Sequence, residues 1–233
     1  MANRDLSLTE RNEEVRDKQP VTPVVSFSLS EIKEHFDKSI LSIQEQYEVA
    51  DSLCAEGKVD ACKDIWRSQI VFAESALDFY IHELSKYGMM QIFTNHWVST
   101  PKYKNFQVAM SAVEEGIKNP ESNDWLEQFL NQRFRREVYL SHESMREQMN
   151  LLGLSLTNIF ETAFPKTGDD NYRTGAKIVT DLFNRRNQIA HQSDRKHANA
   201  EKNEITKEFV QQCISEICVL VGAMHDAATA KST

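Results

Sequence analysis

Apolar residues recur along this chain in steps of three and four, the period of one helical face, and nowhere alternate in the two-residue period of a strand. Ser28 followed by Glu31 reads as a capping box that opens a first helix. Leu29, Ile32, Phe36, Ile43, Tyr47, Ala50 and Cys54 carry its stripe to a stop near Gly57. A second helix is expected from Asp60, with Trp66, Ile70, Ala73, Leu77, Tyr80 and Leu84 on one face up to Gly88, antiparallel to the first. Shorter helices are predicted near 104–118, 122–139 and 142–151, separated by Pro101, Pro120 and a break before His142. The stretch LGLSLTNIFETAFPKTGDDNYRTG reads as irregular. Helix resumes at about Thr174 and runs to His191. After a polar break at Gln192, Ser193 and Asp194, a last helix is expected from about Glu204, with Val210, Ile214, Ile217, Val221 and Met224 on its apolar side. The fold class is therefore all-α, an up-and-down bundle with extra short helices between the second and penultimate long ones. The expected layout is an N-terminal arm over 1–27, a helical domain over 28–229 and a tail over 230–233.

Composition agrees with this layout. The 233 residues are 40% hydrophobic, enough to close a core, and seven Gly and five Pro leave little material for the tight turns of a sheet. The N-terminus has no apolar segment of signal-peptide length, and no later run is expected to cross a bilayer, so a cytoplasmic protein without a membrane partner is expected. The four cysteines read as buried thiols rather than a disulfide framework. A net charge of −8 excludes broad coating of a nucleic-acid backbone and confines any such contact to local basic clusters. One cluster is Arg133, Arg135 and Arg136. The other is Arg185, Arg186, Arg195, Lys196 and His197.

The second cluster holds a residue out of place. On an ideal helix Arg186 falls on the same face as Val179, Leu182, Phe183 and Ala190. A guanidinium stays charged, so in an apolar stripe it needs anionic partners or a ligand at a cleft or interface. Glu74 or Asp78 on the second helix is an internal candidate, which leaves open a purely structural reading with His191 at a helix end. His191 lies five residues on, and an ideal helix puts it about 140° around the axis and about 7.5 Å along. Arg186 must reach across to meet it, near a helix end that the polar QSDR suggests is frayed.

The segment RRNQIAHQSDR resembles the signature of the HEPN superfamily, an Arg, four to six residues and a His, commonly with Asn after the Arg. Arg186, Asn187 and His191 match it. The runs ALDFYIHELSKYGM and ITKEFVQQCISEICVLVGAM are similar to the branch known as RiboL-PSP-HEPN. The resemblance implies a metal-independent endoribonuclease, acting as a homodimer with two motifs facing each other. It also implies a toxin–antitoxin or phage-defence setting with a possible antitoxin or defence-complex partner protein. Many HEPN toxins carry Tyr two residues after the His; Ser193 stands there in this chain, so regulation by adenylylation of that position is not supported.

These residues suit the chemistry. Attack by the RNA 2′-hydroxyl needs a base, an acid for the leaving 5′-oxygen and positive charge on the phosphate. Histidine, with a reference pKa of about 6.5, serves in either proton-transfer role. The fork of Arg186 fits phosphate oxygens, and Asn187 can orient His191 or the scissile group. In-line displacement wants acid and base on opposite sides, so a two-fold dimer is expected to supply the second histidine. Arg185, Gln192, Arg195 and Lys196 are expected to contact RNA.

Competing features are weaker. Arg135 or Arg136 with His142 has the same loose spacing, but Glu137 brings a negative charge beside it. The other histidines, His35, His82, His96, His142, His197 and His225, show no metal-ligand spacing, and no cofactor motif is present, so neither metal nor cofactor is expected. The alternatives are a non-catalytic helical module that binds RNA or nucleotide within a defence complex, and an adaptor acting through the arm.

Overall fold

The computed structural model describes residues 26–168, 172–196 and 198–232. Residues 1–25 of the expected arm, Asp169 and Asp170 of the expected loop, and His197 of the basic cluster lie outside them. Among the described residues nine helices follow one another: α1 Leu29–Ala55, α2 Val59–Phe93, α3 Pro101–Lys104, α4 Met110–Lys118, α5 Asp124–Phe134, α6 His142–Leu152, α7 Leu156–Ala163, α8 Gly175–Gln192 and α9 Lys207–Ser232. The only extended pairing among those residues is a single bridge between Arg195 and Lys202.

Local signals set the helix starts. The Ser28 hydroxyl accepts from the Glu31 amide, and the Glu31 carboxylate accepts from the Ser28 amide at 2.7 Å, completing the capping box. Thr174 caps α8 by accepting from the Lys177 amide. The Thr206 hydroxyl accepts from the Phe209 amide at the start of α9.

Helix α2 is the axis of the bundle. It packs along α1 and touches α5, α6, α8 and α9. Its residues Ile70, Ala73, Leu77, Tyr80, Ile81 and Leu84 are buried, and Phe36 of α1 meets the Tyr80 ring edge-on at 5.9 Å. Each such side chain withdrawn from water contributes about 1.5–3 kcal/mol. On the opposite side α9 lays Val210, Ile214, Ile217, Val221 and Met224 into the same core.

Several sequence expectations are corrected. Helix α2 passes through Gly88 to Phe93, because the missing side chain lets Leu152 and Trp97 pack directly on the backbone there. The stretch expected to be irregular contains α7, capped by Ser155 and burying Leu156, Ile159, Phe160 and Ala163 against α9. Helix α9 continues to Ser232, through residues expected to form a tail. It is also long and apolar enough to cross a membrane by length and composition; in the bundle its apolar stripe is buried, as in a core helix. Cys54 and Cys62, expected to be thiols, are joined by a disulfide, because the Gly57 turn brings their Cα atoms to 5.5 Å. Cys213 and Cys218 are free.

Candidate functional site

The site is built on the last two turns of α8. Ile178, Val179 and Leu182 are buried and fix the helix against the bundle. One turn on, the same face carries Arg186, half-buried, and beyond it the helix emerges so that His191 and Gln192 are exposed. The Arg186 guanidinium does reach across: its Nη1 lies 3.4 Å from His191 Nε2 and donates to Asn187 Oδ1 at 3.1 Å. Three residues of the motif thus form one cluster, with the charged fork between the amide and the imidazole.

No carboxylate among the described residues lies within ion-pairing distance of Arg186, and its Nε, cut off from solvent, has no hydrogen-bond partner. Glu74 and Asp78 are the acidic groups that feel its charge. Glu74 is 1% exposed, and neither of its oxygens is hydrogen-bonded. Burial pushes its carboxyl up to about 8, against the pull of Arg186 and with a further push from Asp78. Asp78 is also raised, first by burial, though it accepts from the Tyr139 amide at 2.7 Å.

The end of α8 is fixed rather than frayed. Ser193 and Asp194 take left-handed backbone conformations, with φ of 51° and 54°. Asp194 then turns inward and has no exposed surface. Its carboxylate accepts from Arg67 Nε at 2.6 Å, from both terminal nitrogens of Arg185, and from Asn203 Nδ2 at 3.0 Å. The Asn203 amide donates to the Asp194 carbonyl at 2.7 Å, and Arg67 Nη2 donates to the Asn203 carbonyl at 2.7 Å. Asp64, Arg67, Lys202 and Lys63 extend these contacts from the start of α2 to the loop before α9. The helix end that carries His191 is therefore anchored by a buried Arg67–Asp194–Arg185 arrangement whose aspartate lies three residues past the histidine.

Nothing in the linear pattern singled out Asp194 or Asn203, which meet Arg67 only through the fold. A signal did exist for Arg67. It stands seven residues before Glu74, so both fall on the buried face of α2, and both are charged.

The expected RNA-contacting residues divide. Gln192, Arg195 and Lys196 are exposed within five residues of His191 in the chain. The Arg195 guanidinium donates to the Ala200 carbonyl at 2.5 Å, and its backbone pairs with Lys202. Arg185 points the other way, its side chain 12% exposed and paired with Asp194, with its guanidinium 5.9 Å from the Phe209 ring centre. The second Arg and His combination is not assembled as a cluster: Arg135 and Arg136 are exposed in the turn after α5, while the His142 ring stacks on Phe160 at 5.8 Å. Among the described residues no group of three or more His, Cys, Asp or Glu side chains is placed to hold a metal ion.

No curated protein and no solved structure matches the chain. The family model described as RiboL-PSP-HEPN matches residues 26–230, from the residue before the α1 cap region to the last turns of α9. That span takes in α1 to α8, all but the last two residues of α9 and the Arg186, Asn187 and His191 cluster, and the chain belongs to the RiboL-PSP-HEPN family of all-helical HEPN domains.

Proposed function

We propose that this protein is a metal-independent endoribonuclease that cleaves RNA by attack of the 2′-hydroxyl on the adjacent phosphate. The observation that carries the reading is the contact of Arg186 with His191 at an exposed helix end, with the guanidinium ion-paired to no carboxylate among the described residues. An imidazole beside a fixed positive charge can move the proton of the attacking or leaving oxygen while the guanidinium stabilises the phosphorane. Asn187 holds the guanidinium from the other side and orients it. Gln192, Arg195 and Lys196 extend the surface along the strand on either side of the scissile phosphate.

Each protomer offers one histidine at this cluster, whereas in-line displacement uses an acid and a base on opposite sides. The reading therefore includes a homodimer in which the exposed ends of two α8 helices face each other. A cytoplasmic toxin or phage-defence effector, held in check by an antitoxin or a defence-complex partner, is the biological setting it fits.

The test is cleavage of RNA by purified protein in EDTA, with analysis of the product ends. The expected products carry 2′,3′-cyclic phosphate and 5′-hydroxyl ends. RNA bound tightly and left intact through long incubation would instead assign the surface to a non-catalytic scaffold, and 5′-phosphate ends would contradict the mechanism.

A further inference from the structure

Glu74 is the one acidic side chain that this reading does not use and that the bundle treats most unfavourably. It sits at 1% exposure with two unpartnered oxygens. A buried carboxylate left without hydrogen bonds costs several kcal/mol, so a fold retains such a group where its charge state does something. On α8, the helix packed against α2 there, Arg186 is the cation whose charge acts on Glu74, and its Nε is also buried and also without a hydrogen-bond partner. Two groups made to pair are thus buried and unpaired on neighbouring helices, while Nη1 of the guanidinium is engaged by Asn187 and His191.

We propose that Glu74 is a positioning residue for the Arg186–His191 pair: as a neutral acid it leaves the guanidinium extended toward the histidine, and as a carboxylate it draws Arg186 inward and breaks the pair. The inference rests on the nuclease reading for its consequence, though the link between Glu74 and Arg186 stands apart from it.

The charged and titratable groups that face Glu74 are few. Arg186 comes from α8, Asp78 lies one turn on in α2, and Cys213 comes from α9. Cys213 is pushed up to about 12, first by burial, and so stays a thiol through the range in question. Asp78 is engaged by the Tyr139 amide and lies 3.8 Å from His82 Nε2, and its negative charge makes ionisation of Glu74 harder. The Glu74 carboxyl, raised to about 8, keeps its proton at neutral pH and gives it to solvent in mild alkali. Ionisation then places a bare carboxylate against a guanidinium in a low-dielectric contact, where attraction is far stronger than in water.

The experiment follows the His191 ring protons by NMR in the full chain between pH 5 and pH 10. Wild type is expected to show the step of the imidazole's own protonation and a second step near pH 8 as Arg186 withdraws. Glu74→Gln keeps the first step and loses the second. Asp78→Asn, which retains an acceptor for Tyr139, moves the second step to lower pH. A wild-type curve without the second step, or a second step that survives in Glu74→Gln or stays in place in Asp78→Asn, overturns the proposal.

In the cleavage assay both proteins lose rate in alkali as the general acid gives up its proton, and the wild type carries a further loss of about tenfold per pH unit above the Glu74 step that Glu74→Gln lacks. Both NMR steps in a protein that cuts no RNA would retain the Glu74 link and remove the nuclease reading. Cleavage without the second step would do the reverse.

Discussion

Arg67 Nε lies 2.6 Å from Asp194 Oδ2 at a point where the aspartate has no exposure and the arginine side chain 7%. This contact ties the first turns of α2 to the residue just past the C-cap of α8, and Arg185 closes on the same carboxylate. Removing one partner from a buried charge arrangement leaves the others uncompensated. Asp194→Ala is expected to lower the free energy of unfolding by about 3–5 kcal/mol, read by chemical denaturation. Asp194→Asn, which keeps the acceptor shape but loses the charge, should lose less. An Asp194→Ala protein as stable as wild type would show that the arrangement does not hold α8.

Gly88 tests the packing under α2. A methyl group there would meet Leu152 Cδ2 at 2.7 Å and Trp97 Cζ3 at 2.8 Å. Alanine favours a helix over glycine by about 1 kcal/mol, yet the clash is expected to outweigh that gain. Gly88→Ala should therefore destabilise by about 1–3 kcal/mol on thermal melting. A rise in Tm would mean that Leu152 and Trp97 yield freely.

The thiol count tests the α1–α2 hairpin. Protein purified without reductant and then unfolded should titrate two thiols, from Cys213 and Cys218, and four after reduction. Breaking the link by Cys54→Ser with Cys62→Ser is expected to cost about 2 kcal/mol, since the bond closes a short loop. Four thiols before reduction would remove the disulfide from the account.

Glu74 also marks the dependence of stability on pH. Its folded-state pKa is raised above the unfolded value, so the unfolded chain loses this proton first as pH rises. The stability linked to that proton is fully present below about pH 4.5 and is lost progressively until the folded group titrates at about 8. Glu74→Gln should therefore gain stability relative to wild type as denaturation is repeated from pH 5 to pH 8. A constant difference across that range would contradict the burial of an ionisable group there.

Much of the bundle was legible because burial and helical period coincide. The Ser28 box, the α1 and α2 stripes and the Val210 to Met224 stripe of α9 each state their own face. Helix α7 was missed although Leu156, Ile159, Phe160 and Ala163 are spaced for it: only eight residues long between Gly153 and Pro165, it depends on α9 for its stability. Of the candidate cluster, Arg186, Asn187 and His191 lie within six residues of one another and were visible as a charged motif on an apolar face. Asp194 and Asn203 were not, since their roles exist only once α2 delivers Arg67. The same holds for Arg185, whose sequence neighbours suggest a basic surface while the fold commits it to Asp194.

The account centres on His191 and Arg186 acting on one phosphodiester. Its most direct measurement is the single-turnover cleavage rate of His191→Ala beside wild type, with circular dichroism and Tm recorded on the same samples. The expected result is a rate about 10²–10⁴-fold lower with unchanged helicity and Tm, since loss of a general acid–base group is of that size and His191 is exposed. A folded His191→Ala protein that cleaves at the wild-type rate would contradict it.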